Sequence, residues 1–321
     1  MNRIIIENNR FDLEQTFTCG QCFRWNKASD GSFIGNAGGR LLIAKKEGKN
    51  EISITEVLRK DAAKNETESP DTKKTESKVI NAAKTGIESF DEKKTETESP
   101  GIVKTEPPMH LTDFEGFVSD YFDLATDYEK IQGELAEADK TGVMAKAVSA
   151  GAGIRILRQD LWETILSFII SQNNNIPRIM KCIEKTAELF GDTLGVYEGK
   201  MQYTIPSAER LSVIQPSDLG PVRLGYRDRY IVESAKQYAM GDREIGKFTG
   251  VGPKVEACIR LFGMRDMQAF PIDVWVKRVM SKLYGFAEND TKGMQAFAKE
   301  TFGEYAGLAQ QYLFYYIRSI S

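Results

Sequence analysis

Hydrophobic and polar positions follow different periods on the two sides of a biased central segment. Before it, short apolar-rich runs at residues 32–35, 40–44 and 51–54 are separated by glycine- and asparagine-containing turns. After it, apolar residues recur at the spacing of one helix face, as in Leu161 and Ile165. The pattern predicts an α+β fold, with a small antiparallel β-sheet N-terminal domain and a larger all-α domain.

Start and stop signals locate three helices in the second part. Asp160 followed by Glu163 is typical of a capped helix start. Pro177 suits a first helical turn, and Gly191 suits the position just after the same helix ends. A last helix is predicted from about residue 305 to 318, and Gln310 borders its apolar stripe, where core packing alone needs no amide.

The central segment, residues 56–108, repeats itself: ETESP occurs at 66–70 and 96–100, and KKTE at 73–76 and 93–96. Large apolar residues are scarce, so burial would not offset the entropy of ordering the chain. We therefore predict a disordered low-complexity insert, with a regulatory or partner-binding role as the alternative. Residues 1–55 then form the first part of the β domain, 109–155 a helical joining segment and 156–321 the helical domain.

Composition excludes several kinds of chemistry. The 321 residues contain four cysteines and one histidine, and the cysteines stand too far apart in sequence for a zinc site or a clustered iron–sulfur centre; His110 stands alone as a general base. No metal or cofactor is expected. No apolar run reaches the roughly 18 residues of a membrane span, and no secretory signal is seen, so we expect an intracellular protein without disulfides or membrane contact. The net charge of −3 argues only weakly against nucleic acid, because acidic segments can lie apart from a basic surface.

The most informative stretch is residues 248–259, FTGVGPKVEACI. The sequence Gly250-Val251-Gly252 opens into a helix, where backbone N–H groups can bind a DNA phosphate, although an ordinary turn between helices is the alternative. Lys254 lies in the first turn, where a purely structural role would favour an acid. Asp273, 19 residues after that lysine, can cap the next helix, and its carboxylate suits a cationic sugar transition state.

This arrangement resembles the helix-hairpin-helix (HhH-GPD) DNA glycosylases, and within them the 8-oxoguanine DNA glycosylase/AP lyase family. Four further blocks follow in family order. They are CGQCFRW at 19–25, SQNNNIPR at 171–178, LGYRDRY at 224–230 and AGLAQ with LF at 306–314. The resemblance covers most of the chain outside the insert and implies a helical HhH-GPD domain over residues 156–321.

The resemblance implies a bifunctional base-excision repair enzyme, a DNA N-glycosylase and apurinic or apyrimidinic site lyase. Lys254 would be the nucleophile that forms a Schiff base, and Asp273 would stabilise the sugar cation. The backbone carbonyl of Gly20 would recognise the protonated imidazole nitrogen of 8-oxoguanine. In the base pocket, Gln310 would contact the Watson–Crick edge. The purine ring would lie between two further side chains, those of Phe314 and Cys258.

The resemblance also assigns residues to the rest of the DNA. Asn173 would fill the space left by the flipped nucleotide and contact the orphaned cytosine, with Arg178 and Arg227 beside it and Tyr226 as a wedge. For the asparagine run, a polar loop between helices is the alternative. The hairpin residues Gly250, Val251 and Gly252, together with Trp275, would contact the DNA backbone. Cys19 and Cys22 are interpreted as buried thiols and not as a redox pair.

Two features depart from the family pattern: Trp275, where many members have histidine, and the insert. The alternatives are an HhH glycosylase for another damaged base, such as an alkylated purine or oxidised pyrimidine, and a catalytically silent HhH DNA-binding protein. Lys254 argues against an alkylpurine enzyme, and an oxidised-pyrimidine enzyme would usually carry a four-cysteine cluster. The expected partner is double-stranded DNA containing oxidised guanine. A monomer is expected, in the cytoplasm or nucleoid of a prokaryote or the nucleus of a eukaryote.

Overall fold

The computed structural model describes residues 2–7, 10–57, 77–81 and 113–320, with the backbone alone for 77–81. The strands are β1 (Asn2–Glu7), β2 (Trp25–Lys27), β3 (Phe33–Ala37), β4 (Arg40–Lys46), β5 (Glu51–Glu56), β6 (Ser77–Asn81), β7 (Thr193–Tyr197) and β8 (Lys200–Tyr203). The helices are α1 (Leu13–Thr18), α2 (Phe114–Tyr121), α3 (Tyr128–Ala138), α4 (Val143–Gly151), α5 (Leu161–Ser171), α6 (Ile176–Phe190), α7 (Ala208–Ser212), α8 (Arg227–Ala239), α9 (Pro253–Gly263), α10 (Val274–Tyr284), α11 (Thr291–Phe302) and α12 (Ala306–Ser319). The prediction of a small sheet followed by a larger helical part is confirmed.

The N-terminal sheet has the strand order β2-β3-β4-β5-β1-β6. All neighbours are antiparallel except β1 and β6, and β1 pairs along β5 from Asn2 opposite Glu56 to Glu7 opposite Glu51. The three predicted strands correspond to β3, β4 and β5. The predicted insert, residues 56–108, lies outside the described residues except for 56–57 and β6. A strand from within the predicted insert therefore forms one edge of the sheet.

A short helix, α1, interrupts the region in which the sequence indicates only strands. The carboxylate of Asp12 caps it by accepting a hydrogen bond from the Gln15 amide at 2.8 Å. On its buried side Phe17 stacks on Trp25 with ring centroids 4.1 Å apart. The indole N–H of Trp25 donates to the Tyr121 hydroxyl at 2.9 Å. The aromatic core of the sheet therefore holds α1 in place. Residues 19–25 follow directly after the end of this helix.

In the helical domain the predicted caps are present. Asp160 caps α5, Asp273 caps α10, and Gly191 is the C-cap residue directly after α6. The N-cap of α6 is Asn175, whose side chain accepts from the Arg178 amide, with Pro177 in the first turn. These caps satisfy N–H groups that have no partner inside a helix. Among the described residues, no helix has both the length and the hydropathy needed to cross a bilayer.

A buried arginine joins the sheet to the helical domain. The guanidinium of Arg24 forms an ion pair with Glu184 of α6 at 3.0 Å and donates to the Tyr203 carbonyl at 2.6 Å. Asn36 of β3 donates to the same carbonyl at 2.6 Å. Nearby, burial raises the pKa of Glu163 to about 7, although the charge of Arg24 lowers it. These contacts fix the segment around residues 19–25 against α5 and α6.

Candidate active site

The hairpin before α9 is held by side chains of α8. Ser234 donates to the Thr249 carbonyl at 3.0 Å. The Gln237 amide accepts from the Thr249 N–H at 2.9 Å and donates to the Lys247 carbonyl at 3.0 Å. Gly250 has a φ of +81° and lies directly against the ring of Tyr230. Side chains of α8 therefore hold the backbone of the predicted hairpin on one side. The hairpin leads directly into the first turn of α9.

We expect Gly250→Ala to destabilise this hairpin. An added Cβ would lie 2.2 Å from Cδ2 of Tyr230, and the positive φ strains any other residue. The free energy of unfolding should fall by more than the roughly 1–3 kcal/mol of backbone strain alone, and DNA affinity should fall with it. Gly241→Ala is the matched control, because Gly241 has a φ of +90° with no neighbour within 4 Å. Equal losses in urea unfolding of both variants would contradict the proposed contact with Tyr230.

Lys254 lies in the first turn of α9 and is partly buried. Its Nζ is 5.4 Å from the ring centroid of Phe168 on α5, and that ring stacks on Phe262 of α9. The positive charge of Lys254 also lowers the pKa of the buried Cys258 thiol, one turn further along the same helix. The lysine therefore has an aromatic surface on one side and a polar partner on its own helix.

The Cys258 thiol is poorly suited to act as a nucleophile. Burial raises its pKa to about 11, although the positive charge of Lys254 lowers it. A thiol with that pKa stays protonated at neutral pH, and the thiolate is the reactive form. Cys19 and Cys22 are free, buried and similarly shifted, with the pKa of Cys19 raised to about 11. Both agree with the interpretation as buried thiols.

Asp273 combines helix capping with proximity to the lysine. Its Oδ1 accepts from the N–H groups of Trp275 and Val276 at 2.9 and 2.8 Å. Burial raises the pKa of Asp273, while the Val276 N–H, the charge of Lys254 and the Trp275 N–H lower it. The same carboxylate raises the pKa of Cys258. Lys254, Cys258 and Asp273 therefore influence one another electrostatically and form one cluster.

Two of the predicted base-pocket residues, Gly20 and Phe314, come together from distant parts of the chain. Gly20 has a φ of +82°, and a Cβ there would lie 3.2 Å from Cε1 of Phe314 on α12. The Gln21 amide fixes the Gly20 loop by donating to the carbonyls of Thr16 and Arg155. Phe314 remains partly exposed, whereas Gln310, one turn before it, is buried. A glycine backbone and an aromatic ring thus form two adjoining walls.

Arg318, which the sequence analysis did not identify, connects these two walls. Its guanidinium is 5.1 Å from the ring centroid of Phe314 and donates to the Thr18 carbonyl at 3.2 Å. Its charge lowers the pKa of Asp273. Arg318 lies one turn after Phe314, so helical spacing beside a predicted pocket residue was the available signal. Phe168 of α5 was not predicted as a site residue either, although it lies shortly before the asparagine-rich segment, residues 171–178.

A second group lies on an exposed face. Asn173, with a φ of +46°, donates through its side chain to the Tyr226 hydroxyl at 3.2 Å. Tyr226 is 51% exposed, as a wedge requires. Arg227, in contrast, is buried, and its guanidinium donates to the carbonyls of Leu224, Gln172 and Asn173. Arg227 therefore connects two loops from the buried side instead of projecting from the surface. We call them the asparagine loop, around residues 172–175, and the tyrosine loop, around residues 223–226.

Of the remaining predicted DNA contacts, Arg178 is exposed and Trp275 is partly buried. Arg178 is exposed, and its guanidinium donates to the Arg223 carbonyl at 2.9 Å. This hydrogen bond holds the Arg178 side chain beside the tyrosine loop. Trp275 is partly buried, and Arg278 lies 4.5 Å from its ring centroid. An indole stacked on a guanidinium places an N–H donor and a positive charge where the family pattern usually has histidine.

Comparisons with known proteins agree with this geometry. Residues 3–165 match the family model "8-oxoguanine DNA glycosylase, N-terminal domain", and residues 166–303 match "HhH-GPD superfamily base excision DNA repair protein". A Methanothermobacter thermautotrophicus protein described as a probable N-glycosylase/DNA lyase is 30% identical over 231 residues, 61% of this chain and 72% of that protein. The Saccharomyces cerevisiae N-glycosylase/DNA lyase is 32% identical over 43% of each chain.

Solved structures extend the likeness to the whole chain. The structure of MBOgg1 in complex with a low-affinity DNA ligand superposes with a TM-score of 0.77 and 34% identity, covering 100% of this chain and 96% of the other. A second structure is the Clostridium acetobutylicum 8-oxoguanine glycosylase/lyase in complex with double-stranded DNA containing cytosine opposite 8-oxoguanine. It superposes with a TM-score of 0.75 and 32% identity, covering 97% of this chain and 93% of the other. The chain therefore belongs to the 8-oxoguanine DNA glycosylase family of the HhH-GPD superfamily.

Proposed function

We propose that this protein flips 8-oxoguanine out of double-stranded DNA, preferentially opposite cytosine, excises it and nicks the strand. The observation that carries the proposal is the electrostatic interaction of Lys254, in the first turn of α9, with Cys258 of the same helix and with Asp273, the N-cap of α10. Phosphate binding needs only the hairpin, so a silent DNA-binding module would have no use for an amine and a carboxylate in electrostatic contact.

Lys254 is the proposed nucleophile. Its amine lone pair attacks the anomeric carbon, the glycosidic bond breaks, and its electron pair leaves with the base. Proton loss from the nitrogen and opening of the sugar then give an imine. That imine acidifies the neighbouring sugar position, so loss of a proton there expels the 3′-phosphate and nicks the strand. Asp273 stabilises the positive charge that develops on the sugar.

Lesion recognition is proposed to use the pocket between Gly20 and α12. The oxidised purine carries a proton on an imidazole nitrogen where guanine has a lone pair, so the Gly20 carbonyl attracts one and repels the other. Gln310 contacts the Watson–Crick edge. Stacking against Phe314 and packing against Cys258 stabilise the flipped ring, and each stacked base contributes about 1–3 kcal/mol.

The second group is proposed to occupy the space left in the duplex. Flipping costs a few kcal/mol in lost stacking and pairing. Asn173 and Tyr226 fill the gap, and Arg178 contacts the orphaned cytosine. Arg227, because it is buried and hydrogen-bonded to three carbonyls, contributes mainly by fixing the two loops, and its Nε has no partner among the described residues. The hairpin backbone and Trp275 bind phosphates on the damaged strand.

A panel of duplexes tests this function. Each carries one 8-oxoguanine, guanine, thymine glycol or alkylated purine, and the 8-oxoguanine is placed opposite each of the four bases. We expect base release and strand nicking with 8-oxoguanine, fastest opposite cytosine. Excision of the alkylpurine alone would overturn the proposal in favour of an activity like that named for a Bacillus subtilis relative, a DNA-3-methyladenine glycosylase 24% identical over 174 residues.

DNA affinity should fall steeply with salt despite the net charge of −3. Exposed basic side chains surround the proposed interface, among them Arg178, Arg223 and Lys247. Each phosphate they neutralise releases counterions, so log affinity should fall against log salt with a slope of about −3 or steeper. Fluorescence anisotropy with undamaged duplex, from low to physiological salt, measures the slope. A flat dependence of affinity on salt would contradict the proposed DNA surface.

We also propose that the protein is a monomer and that it acts inside the cell.

A further inference from the structure

The ring of Tyr230, on α8, contacts both the proposed wedge and the hairpin. Its centroid is 5.4 Å from that of Tyr226, and the two ring planes make an edge-to-face angle of 67°. The same ring lies against Gly250, where an added Cβ would overlap its atoms Cγ and Cδ2. Tyr230 is partly buried, whereas Tyr226 is 51% exposed. One aromatic side chain therefore connects the tyrosine loop to the hairpin.

The wedge side chain needs support from the body of the protein. Tyr226 is the N-cap residue of α8, directly after Gly225, which has a φ of +65°. Its hydroxyl accepts from the exposed Asn173, but both residues are proposed to enter the duplex, so this bond does not fix the pair to the fold. Among the described residues, two side chains contact the Tyr226 ring from the protein side, those of Arg227 and Tyr230.

The hairpin provides a rigid support for the Tyr230 ring. Ser234 and Gln237 lie further along the same helix and hold the hairpin backbone through hydrogen bonds to Thr249 and Lys247. Gly250 leaves space for the ring, because any side chain at this position would displace it. The backbone contact therefore fixes the place of the ring, and the ring in turn fixes its aromatic neighbour in the tyrosine loop.

We propose that Tyr230 is a positioning residue for base flipping, which holds Tyr226 at a fixed separation from the hairpin so that both act on the duplex together. This rests on the proposed function, in which Tyr226 helps to fill the gap and the hairpin binds phosphates. A wedge that is already ordered loses less conformational entropy when it enters the duplex. More of the binding free energy is then available for unstacking the damaged nucleotide.

Stopped-flow fluorescence measures this step. A 2-aminopurine next to 8-oxoguanine, in a duplex with cytosine opposite the lesion, becomes brighter when its neighbour leaves the stack. Tyr230→Leu removes the ring but keeps an apolar side chain. Its flipping rate should fall about tenfold, equivalent to about 1.4 kcal/mol, because the aromatic pair is lost. Tyr230→Phe keeps the ring that makes both contacts and should flip the lesion at the wild-type rate.

A double variant tests whether Tyr230 acts through Tyr226. If positioning the wedge is its role, the Tyr230 ring has no effect once the wedge is removed. The variant with both Tyr226→Ala and Tyr230→Leu should therefore flip the lesion at the rate of Tyr226→Ala alone. Affinity for undamaged duplex should stay at the wild-type value in Tyr230→Leu, because Ser234 and Gln237 still hold the hairpin.

The matched control is Tyr238→Leu. Tyr238 is a second partly buried tyrosine of α8, and its ring centroid lies 5.3 Å from that of Trp162 on α5. The same substitution on the same helix should lower the melting temperature, because it also removes an aromatic contact. It should leave the flipping rate unchanged. Equal slowing in Tyr238→Leu and Tyr230→Leu would overturn the proposal, since lost stability would then explain both.

Tyr226→Ala separates this proposal from the proposed function. If that variant flips the lesion at the wild-type rate, Tyr226 is not a wedge, and its place in the proposed function fails. If Tyr226→Ala is slow but Tyr230→Leu is not, the positioning role is overturned while the function stands. Losses that multiply in the double variant, or a loss of affinity for undamaged duplex in Tyr230→Leu, would also overturn it, because Tyr230 would then act by another route.

Discussion

Lys254→Gln should abolish covalent trapping and strand nicking on a duplex with 8-oxoguanine opposite cytosine. Glutamine keeps much of the side-chain length and polarity but has no amine lone pair to form an imine. Borohydride reduces an imine to a stable cross-link, so the wild-type protein should give a slower-migrating complex in a denaturing gel and the variant none. The excision rate should fall by at least about 10³-fold, as expected when covalent catalysis is removed.

The control for this substitution is Lys292→Gln, a lysine exposed in the first turn of α11. It carries the same change in charge and should trap as the wild-type protein does. Lys254→Gln should still bind the lesion duplex, because the hairpin is held by Ser234 and Gln237 of α8. Trapping that survives in Lys254→Gln would show that another amine is the nucleophile.

Asp273→Asn should slow base excision by about 10²–10³-fold, the size of effect seen when one electrostatic stabiliser is removed. Asparagine caps a helix about as well as aspartate, so α10 should keep its start and the free energy of unfolding should change little. Asp290→Asn, at the N-cap of α11, is the control for capping. A similar rate loss in both variants, or a loss of folding in Asp273→Asn alone, would reduce Asp273 to a cap.

The pH profile gives a second measurement on Asp273. Catalysis needs the ionised carboxylate, and burial raises the pKa of this group in the folded protein. The wild-type rate should therefore decrease as pH falls through that raised pKa, at a higher pH than for an exposed aspartate. Asp273→Asn should lack this acidic limb, provided that unfolding, followed by circular dichroism, occurs at lower pH.

Local signals in the sequence were enough to predict the elements that carry the proposed catalytic residues, Lys254 and Asp273. Asp160, Asp273 and Pro177 identify helix starts because a cap depends on neighbours within three residues. The hairpin glycines are recognisable because a tight turn needs backbone angles that favour glycine, and Gly250 has the positive φ of such a turn. The roles of the site residues came from the family resemblance and stay predictions, as do the domain boundaries.

Long-range packing explains what the sequence did not predict. Arg227 looks like a surface residue in a polar loop, but carbonyls brought from the asparagine loop bury it. Phe168 looks like ordinary core, yet it lies beneath Lys254 because α5 packs against α9. Asp12 is a recognisable cap, but α1 has only six residues and is stabilised by its stacking partner Trp25. Each depends on a partner far away in sequence.

The contact between Arg318 and the Thr18 carbonyl has a consequence for how the protein is made. These residues are 300 positions apart, and Gly20 and Phe314 adjoin across nearly the same separation. During synthesis the N-terminal sheet emerges well before α12. The proposed base pocket therefore lacks one wall until α12 has left the ribosome. Nascent chains that end before α12 can display the hairpin and its lysine, but the pocket proposed to select the lesion is not yet formed in them.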